Sequence, residues 1–146
     1  MNPNELTSYQ AMALLSRSQR RLQTFMSQAL KEYELTIAEW NALGLLHDFA
    51  SKGGLKPTQL ASLLDVKPSL VSAHIKSLSQ RGYVAQKDHE SDGRAQTLAP
   101  TRGGEKLIEK VEKQLKVELD KWFGTTDQRH LFGYIKTLQS FASRDV

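Results

Sequence analysis

The chain contains no cysteine. That excludes disulfides, thiolate metal sites, thiol nucleophiles and cysteine redox sensing. No apolar run approaches the ~18 residues of a membrane span, and the opening "MNPNELTSYQ" lacks the apolar stretch of a secretory signal. The expectation is a cytoplasmic chain with no membrane partner. Histidines are few and scattered, at His47, His74, His89 and His130, with no His-x3-His spacing. No metal site is expected from them. Gly-x-Ser-x-Gly, His-Glu-x-x-His and a phosphate loop are all missing. Catalytic residues, a cofactor and an enzymatic role are therefore not expected.

What is present suits one folded domain. With 146 residues and 39% hydrophobic content, the chain can bury a proper core. Charged residues make up 25%, a globular proportion and not that of a disordered chain. The net charge of +4 is modest, so its location matters more than its size. Between Leu55 and Gly104 lie Lys56, Lys67, Lys76, Arg81, Lys87, Arg94 and Arg102, against the acids Asp65, Asp88, Glu90 and Asp92. Most of the positive excess sits in this middle third.

The order of elements follows from periodicity and punctuation. Residues 7–32 carry Tyr9, Met12, Leu15, Leu22, Phe25, Met26, Ala29 and Leu30 at helical spacing. "TIAEW" is a capping box, with Thr36 and Glu39 exchanging hydrogen bonds at the start of a second helix. That helix carries Ile37, Trp40, Leu43 and Leu46 and ends before "SKGG". A short helix follows in "KPTQLASLLD", with Pro57 in its first turn and Leu60, Ala61, Leu63 and Leu64 inward. Pro68 opens the next, closed by Gly82, with Val71, Ile75 and Leu78 as its buried stripe. Its opposite face holds Ser69, Ser72, Ala73, Lys76 and Gln80, and no acid. "YVAQKD" and "AQTLAP" read as strands joined by the tight turn "SDGR". Two more helices follow, one with Leu107, Ile108, Val111, Leu115, Leu119 and Trp122, the other with Leu131, Phe132, Ile135, Leu138 and Phe141.

Two short helices, a tight connection and a β-hairpin describe a winged helix-turn-helix. Its second helix presents small side chains that can approach base edges, and a lysine for phosphate or guanine. Arg94 falls at the tip of the wing, where a minor groove would attract its guanidinium. Simpler roles fit the same residues. Arg94 and Lys76 suit a solvated surface, Ser69 and Ser72 suit capping, and Asp92 either braces Arg94 or only favours the turn.

On four stretches the chain resembles the MarR family of bacterial transcription regulators. They are "LTIAEWNAL", "LKPTQLASLLDVKPSLVSAHIKSLSQRGYVAQK", "DGRAQTLAPT" and "TRGGEKL". The resemblance implies a mainly α fold with a small β-hairpin wing, its winged helix-turn-helix at about residues 36–101 flanked by dimerisation helices at about 7–32 and 103–143. It further implies a homodimer, with Leu131, Ile135 and Leu138 in the interface, reading a pseudo-palindrome in double-stranded DNA. A ligand-responsive repressor or activator follows, with a small aromatic or phenolic effector as its partner. Within the wing, Asp92 and Arg94 match the family's acidic residue and minor-groove arginine. Three positions depart from the family pattern. Gly93 stands where arginine is frequent, Pro100 where a strand leucine is usual, and Ala73 where the recognition helix often has arginine.

The residues expected on DNA are Lys67, Ser69, Ser72, Ala73 and Lys76, with Arg81, Lys87, Asp92 and Arg94. Met12, Phe25, Met26, Trp40 and His47 are the expected effector pocket, although core packing also accounts for the apolar ones. The alternative to a DNA-binding regulator is a winged helix used as a protein-interaction module. Such a module would not need an acid-free helix face or an arginine on the wing.

Overall fold

The computed structural model describes residues 5–88 and 96–143. The chain divides into two compact units, Met1–Leu115 and Lys116–Val146. The expected "SDGR" turn, with Asp92, Gly93 and Arg94, lies outside the described residues.

In the first unit, α1 (Ser8–Leu30) starts from a capping box between Thr7 and Gln10. The expected helix at residues 7–32 is thus α-helical only to Leu30. A 3-10 turn over Lys31–Tyr33 follows, stopped by Glu34 in the left-handed region at φ 54°. The box read in "TIAEW" is present at the start of α2 (Ile37–Ala50). Glu39 N donates to Thr36 Oγ1 at 3.1 Å and Thr36 N to Glu39 Oε2 at 3.0 Å. Both satisfy amides that no helical carbonyl can reach.

Proline begins each helix of the helix-turn-helix, α3 (Pro57–Leu64) and α4 (Pro68–Gln80). At a first helical position its missing N–H costs nothing, and its fixed φ already suits the helix. Asp65, at φ 52°, turns the chain between them, with Val66 N donating to Ala61 O at 3.1 Å. Gly82 closes α4 in the same manner at φ 78°, with Tyr83 N on Leu78 O at 2.9 Å. This is the paired hydrogen-bond pattern that satisfies a helix's last carbonyls.

Val71, Ile75 and Leu78 are buried as the spacing predicts. One inward assignment on α3 is corrected. Leu60 and Ala61 are buried, but Leu63 is 50% exposed. A helix of eight residues turns only twice, and Leu63 falls past the edge of the side that meets α2 and α4.

The hairpin pairs β1 (Val84–Asp88) with β2 (Gln96–Pro100) antiparallel, Val84 opposite Pro100. Leu55 adds a third rung. It exchanges backbone hydrogen bonds with Leu98 at 2.8 and 3.2 Å, fixing the base of the hairpin to the connection before α3. Gly54 makes that approach feasible, because a Cβ there would lie 2.6 Å from Leu98 O. Helix α5 (Arg102–Phe123) then brings Ile108, Val111 and Leu115 into the core with Leu30, Leu43, Leu46, Leu60, Leu78 and Leu98.

The second unit holds the end of α5 and α6 (Gln128–Ala142), which Asp127 caps by accepting from Arg129 N at 2.8 Å. Helix α6 has no buried residue. Phe132, Ile135, Leu138 and Phe141 are all exposed. No helix among the described residues is long and apolar enough to cross a membrane.

Gly104 is buried in the first turn of α5, where a Cβ would overlap the carbonyl oxygen of Tyr83. Gly104→Ala is therefore expected to push α5 away from the end of α4 and lower unfolding free energy by about 1–3 kcal/mol. Urea denaturation followed by circular dichroism checks this.

Candidate nucleic-acid interface

The outer face of α4 is chemically distinct. Ser69, Ser72, Ala73, Lys76 and Gln80 are exposed there, and the helix contains no acid. Lys67 occupies the N-cap position and is exposed, as is Lys87 on β1. Between α4 and the hairpin runs a cleft of about 460 Å³ whose lining includes Ser72, Lys76, Ser79 and Gln80 from the helix and Gln86 from β1. Ser72 Oγ donates to Pro68 O at 3.0 Å. Its proton is thus engaged within the helix, and the oxygen faces outward as an acceptor.

Two polar contacts set the placement of α4. Glu39, although an acid, is only 7% exposed. Its carboxylate completes the cap of α2 and also accepts from Ser77 Oγ at 2.6 Å, from the inner flank of α4. Burial pushes the Glu39 carboxyl up, but the Ser77 hydrogen bond, the two from Thr36 and the positive charge of Arg81 together outweigh it. The net result is a value below the ordinary one.

The second contact involves Arg81, one of the residues expected on DNA. The Arg81 guanidinium donates to Glu34 O at 2.8 Å and Tyr33 O at 2.9 Å and lies 5.2 Å from the Tyr83 ring centre. It satisfies the carbonyls that the 3-10 turn leaves open. Arg81 fastens the end of α4 to the turn that precedes α2.

A second cavity, of about 580 Å³, lies on the other side of α2. Trp40, Asn41, Gly44, Leu45, His47 and Asp48 of α2 line it, with Leu64 of α3 and Ile108 and Glu112 of α5. At its edge His47 Nδ1 lies 2.5 Å from Glu105 Oε2, joining α2 to α5. Of the expected effector residues, Trp40 and His47 line this cavity, while Met12, Phe25 and Met26 do not. Met12 is exposed on α1, and Met26 packs against the core. Sequence reasoning did not single out Ser77, Gly44, Asp48 or Glu112. Ser77 meets Glu39 from 38 residues away, and the other three share a cavity only because separate helices converge, so no local pattern marks them.

A model of the MarR family matches residues 33–95, which span the helix-turn-helix and the first strand. That stretch is similar to the MarR family, and the fold built around it is a winged helix. The MarR family is one of transcriptional regulators, not of enzymes. No curated protein sequence matches the chain significantly.

Solved structures extend the MarR likeness over nearly the whole chain. A MarR-family transcriptional regulator from Rhodococcus sp. RHA1 aligns with a TM-score of 0.82 at 21% identity, covering 95% of this chain and 96% of that one. CouR from Rhodococcus jostii RHA1, bound to p-coumaroyl-CoA, aligns at 0.78 and 22% identity, covering 91% and 92%. A mutant MarR from E. coli complexed with operator DNA aligns at 0.75 and 15% identity, covering 88% and 91%.

The Glu39 contact generates a pH prediction. A carboxyl whose value is lowered by folding stabilises the protein above its unfolded value, and that stabilisation is lost as pH falls through the native value. Ser77→Ala should therefore cost about 1–3 kcal/mol near neutral pH. The difference from the parent protein should shrink below pH ~4, as the carboxylate takes up its proton. Chemical denaturation of both proteins across that range measures it.

Proposed function

We propose that this chain is a homodimeric regulator that binds specific double-stranded DNA, places α4 in the major groove and responds to a small aromatic effector. The observation that carries this reading is the acid-free face of α4, bordered by Lys67 and Lys87 and opening onto the cleft beside the hairpin. Small side chains at Ser69, Ser72 and Ala73 let the helix backbone sit deep in a groove, and the lysines around them meet phosphates. The E. coli relative crystallised with operator DNA supports the same use of the fold. Arg94 and Asp92 belong to this proposal as the wing's minor-groove contact and its brace.

Dimerisation is the second element of the proposal. Phe132, Ile135 and Leu138 on α6, and Tyr9, Met12 and Leu15 on α1, are each more than 40% exposed in the single chain. A second copy that covered them would also set two α4 helices at a fixed spacing, the arrangement a pseudo-palindrome requires. The flanking helices at about residues 7–32 and 103–143 would form the dimer, and residues 36–101 the reading head. The effector is assigned to the cavity at Trp40 and His47, in line with the ligand-bound CouR relative.

Two outcomes test this reading. With Lys67, Lys76 and Lys87 on phosphates in each half of a dimer, affinity for DNA flanking the protein's own coding region should fall about a thousandfold between about 50 and 200 mM salt. A flat salt profile would favour a protein-interaction module instead. For the dimer, Ile135→Asp places a charge in the interface without a partner and should convert the sedimenting species from dimer to monomer. A parent protein that sediments as a folded monomer contradicts the assembly.

A further inference from the structure

The cavity beside α2 has an uneven distribution of charge. Leu45, Leu64 and Ile108 supply apolar lining, and Trp40 supplies an aromatic ring. Asp48 enters from α2 and Glu112 from α5, while no lysine or arginine lines the cavity. Among the described residues, neither of these carboxylates has a hydrogen bond or ion pair. The nearby Glu105 differs, because His47 engages it.

Gly44 is an independent sign that the space is kept open. It stands in the middle of α2, one turn after Trp40, with no positive φ. A Cβ added there would meet nothing within 4 Å. Glycine inside a helix is destabilising relative to alanine. Neither the backbone nor the packing of this chain requires it at this position, and the volume a side chain would occupy is cavity.

Resting on the regulatory reading above, we propose that the cavity selects a small planar aromatic cation. Its ring would lie against Trp40 over Gly44, with its positive group towards Asp48 and Glu112. The indole face attracts a cation, and two carboxylates in one cavity attract it further. An aromatic carboxylate of the same shape meets two like charges and no lysine or arginine among the lining residues. The expected effector class of aromatic and phenolic compounds is thereby narrowed by the sign of its charge.

Benzamidine, benzamide and benzoate share one ring and differ in charge, so calorimetric titration of the full chain with all three tests the proposal. Benzamidine should bind tightest and benzoate weakest, with a ratio of about tenfold, as two exposed carboxylates acting together would give. In the Asp48→Asn, Glu112→Gln double variant the ratio should fall to about threefold or less, with benzamide binding retained. Gly44→Ala should raise the melting temperature through helix propensity while weakening benzamidine. Gly44→Leu should block all three probes. If the leucine variant does not fold, the alanine variant carries the point.

The proposal is overturned if benzamidine does not bind, if benzoate binds as well, or if the double variant keeps the preference. DNA binding by the same samples is measured separately. Its failure would remove the regulatory reading and leave the charge preference to be judged by the titrations.

Discussion

The outer face of α4 can act as a reading surface only if the helix is held at a fixed angle, and a buried carboxylate contributes to that hold. Glu39 sits in the first turn of α2, where a negative charge also favours the positive end of the helix. The same group reaches Ser77 on the inner flank of α4. Removing it from water is offset by hydrogen bonds from the Thr36 amide, the Thr36 hydroxyl and the Ser77 hydroxyl. Arg81 adds a second fastening one turn further along α4 and contributes its charge to Glu39. Apolar contacts through Val71, Ile75 and Leu78 hold the helix against the core, but they are not directional. The polar pair supplies the direction.

The proposed reading head is sparing in hydrogen-bond donors. Ala73 offers only a methyl group, and Ser72 has already given its proton to Pro68 O. Lys76 is the one cation on the exposed face of α4. A surface of this kind suits apolar contact with thymine methyl groups and acceptor contacts to amino groups more than bidentate guanine recognition. Much of its discrimination would then come from groove shape and from the wing.

The elements with local signatures were legible in the sequence. Thr36 and Glu39 lie three residues apart, and Pro57 and Pro68 each begin a helix, so their chemistry is complete within a single turn. The stripe on α4 and both strands followed from periodicity for the same reason. What could not be read depends on contacts between distant segments. Arg81 looks the same in sequence whether it faces a phosphate or two carbonyls nearly fifty residues upstream. The cavity required α2, α3 and α5 to converge. The residues that give it charge, Asp48 and Glu112, resemble any solvated acids on a helix. Trp40 and His47 could be anticipated as candidates, but the space between helices that makes them a site could not.

The hairpin has a consequence for how copies of the molecule meet. An exposed pair of strands is an open template on which another chain could add a strand. Here β2 is covered on its far side by Leu55 at Leu98, and it ends in Pro100, which has no amide to donate. Strand β1 is five residues long and carries an exposed lysine, Lys87, near its end. Little backbone remains on which sheets could join edge to edge into fibrils. The proposed dimer would instead join helices, whose contacts are side chain to side chain and stop once those faces are covered.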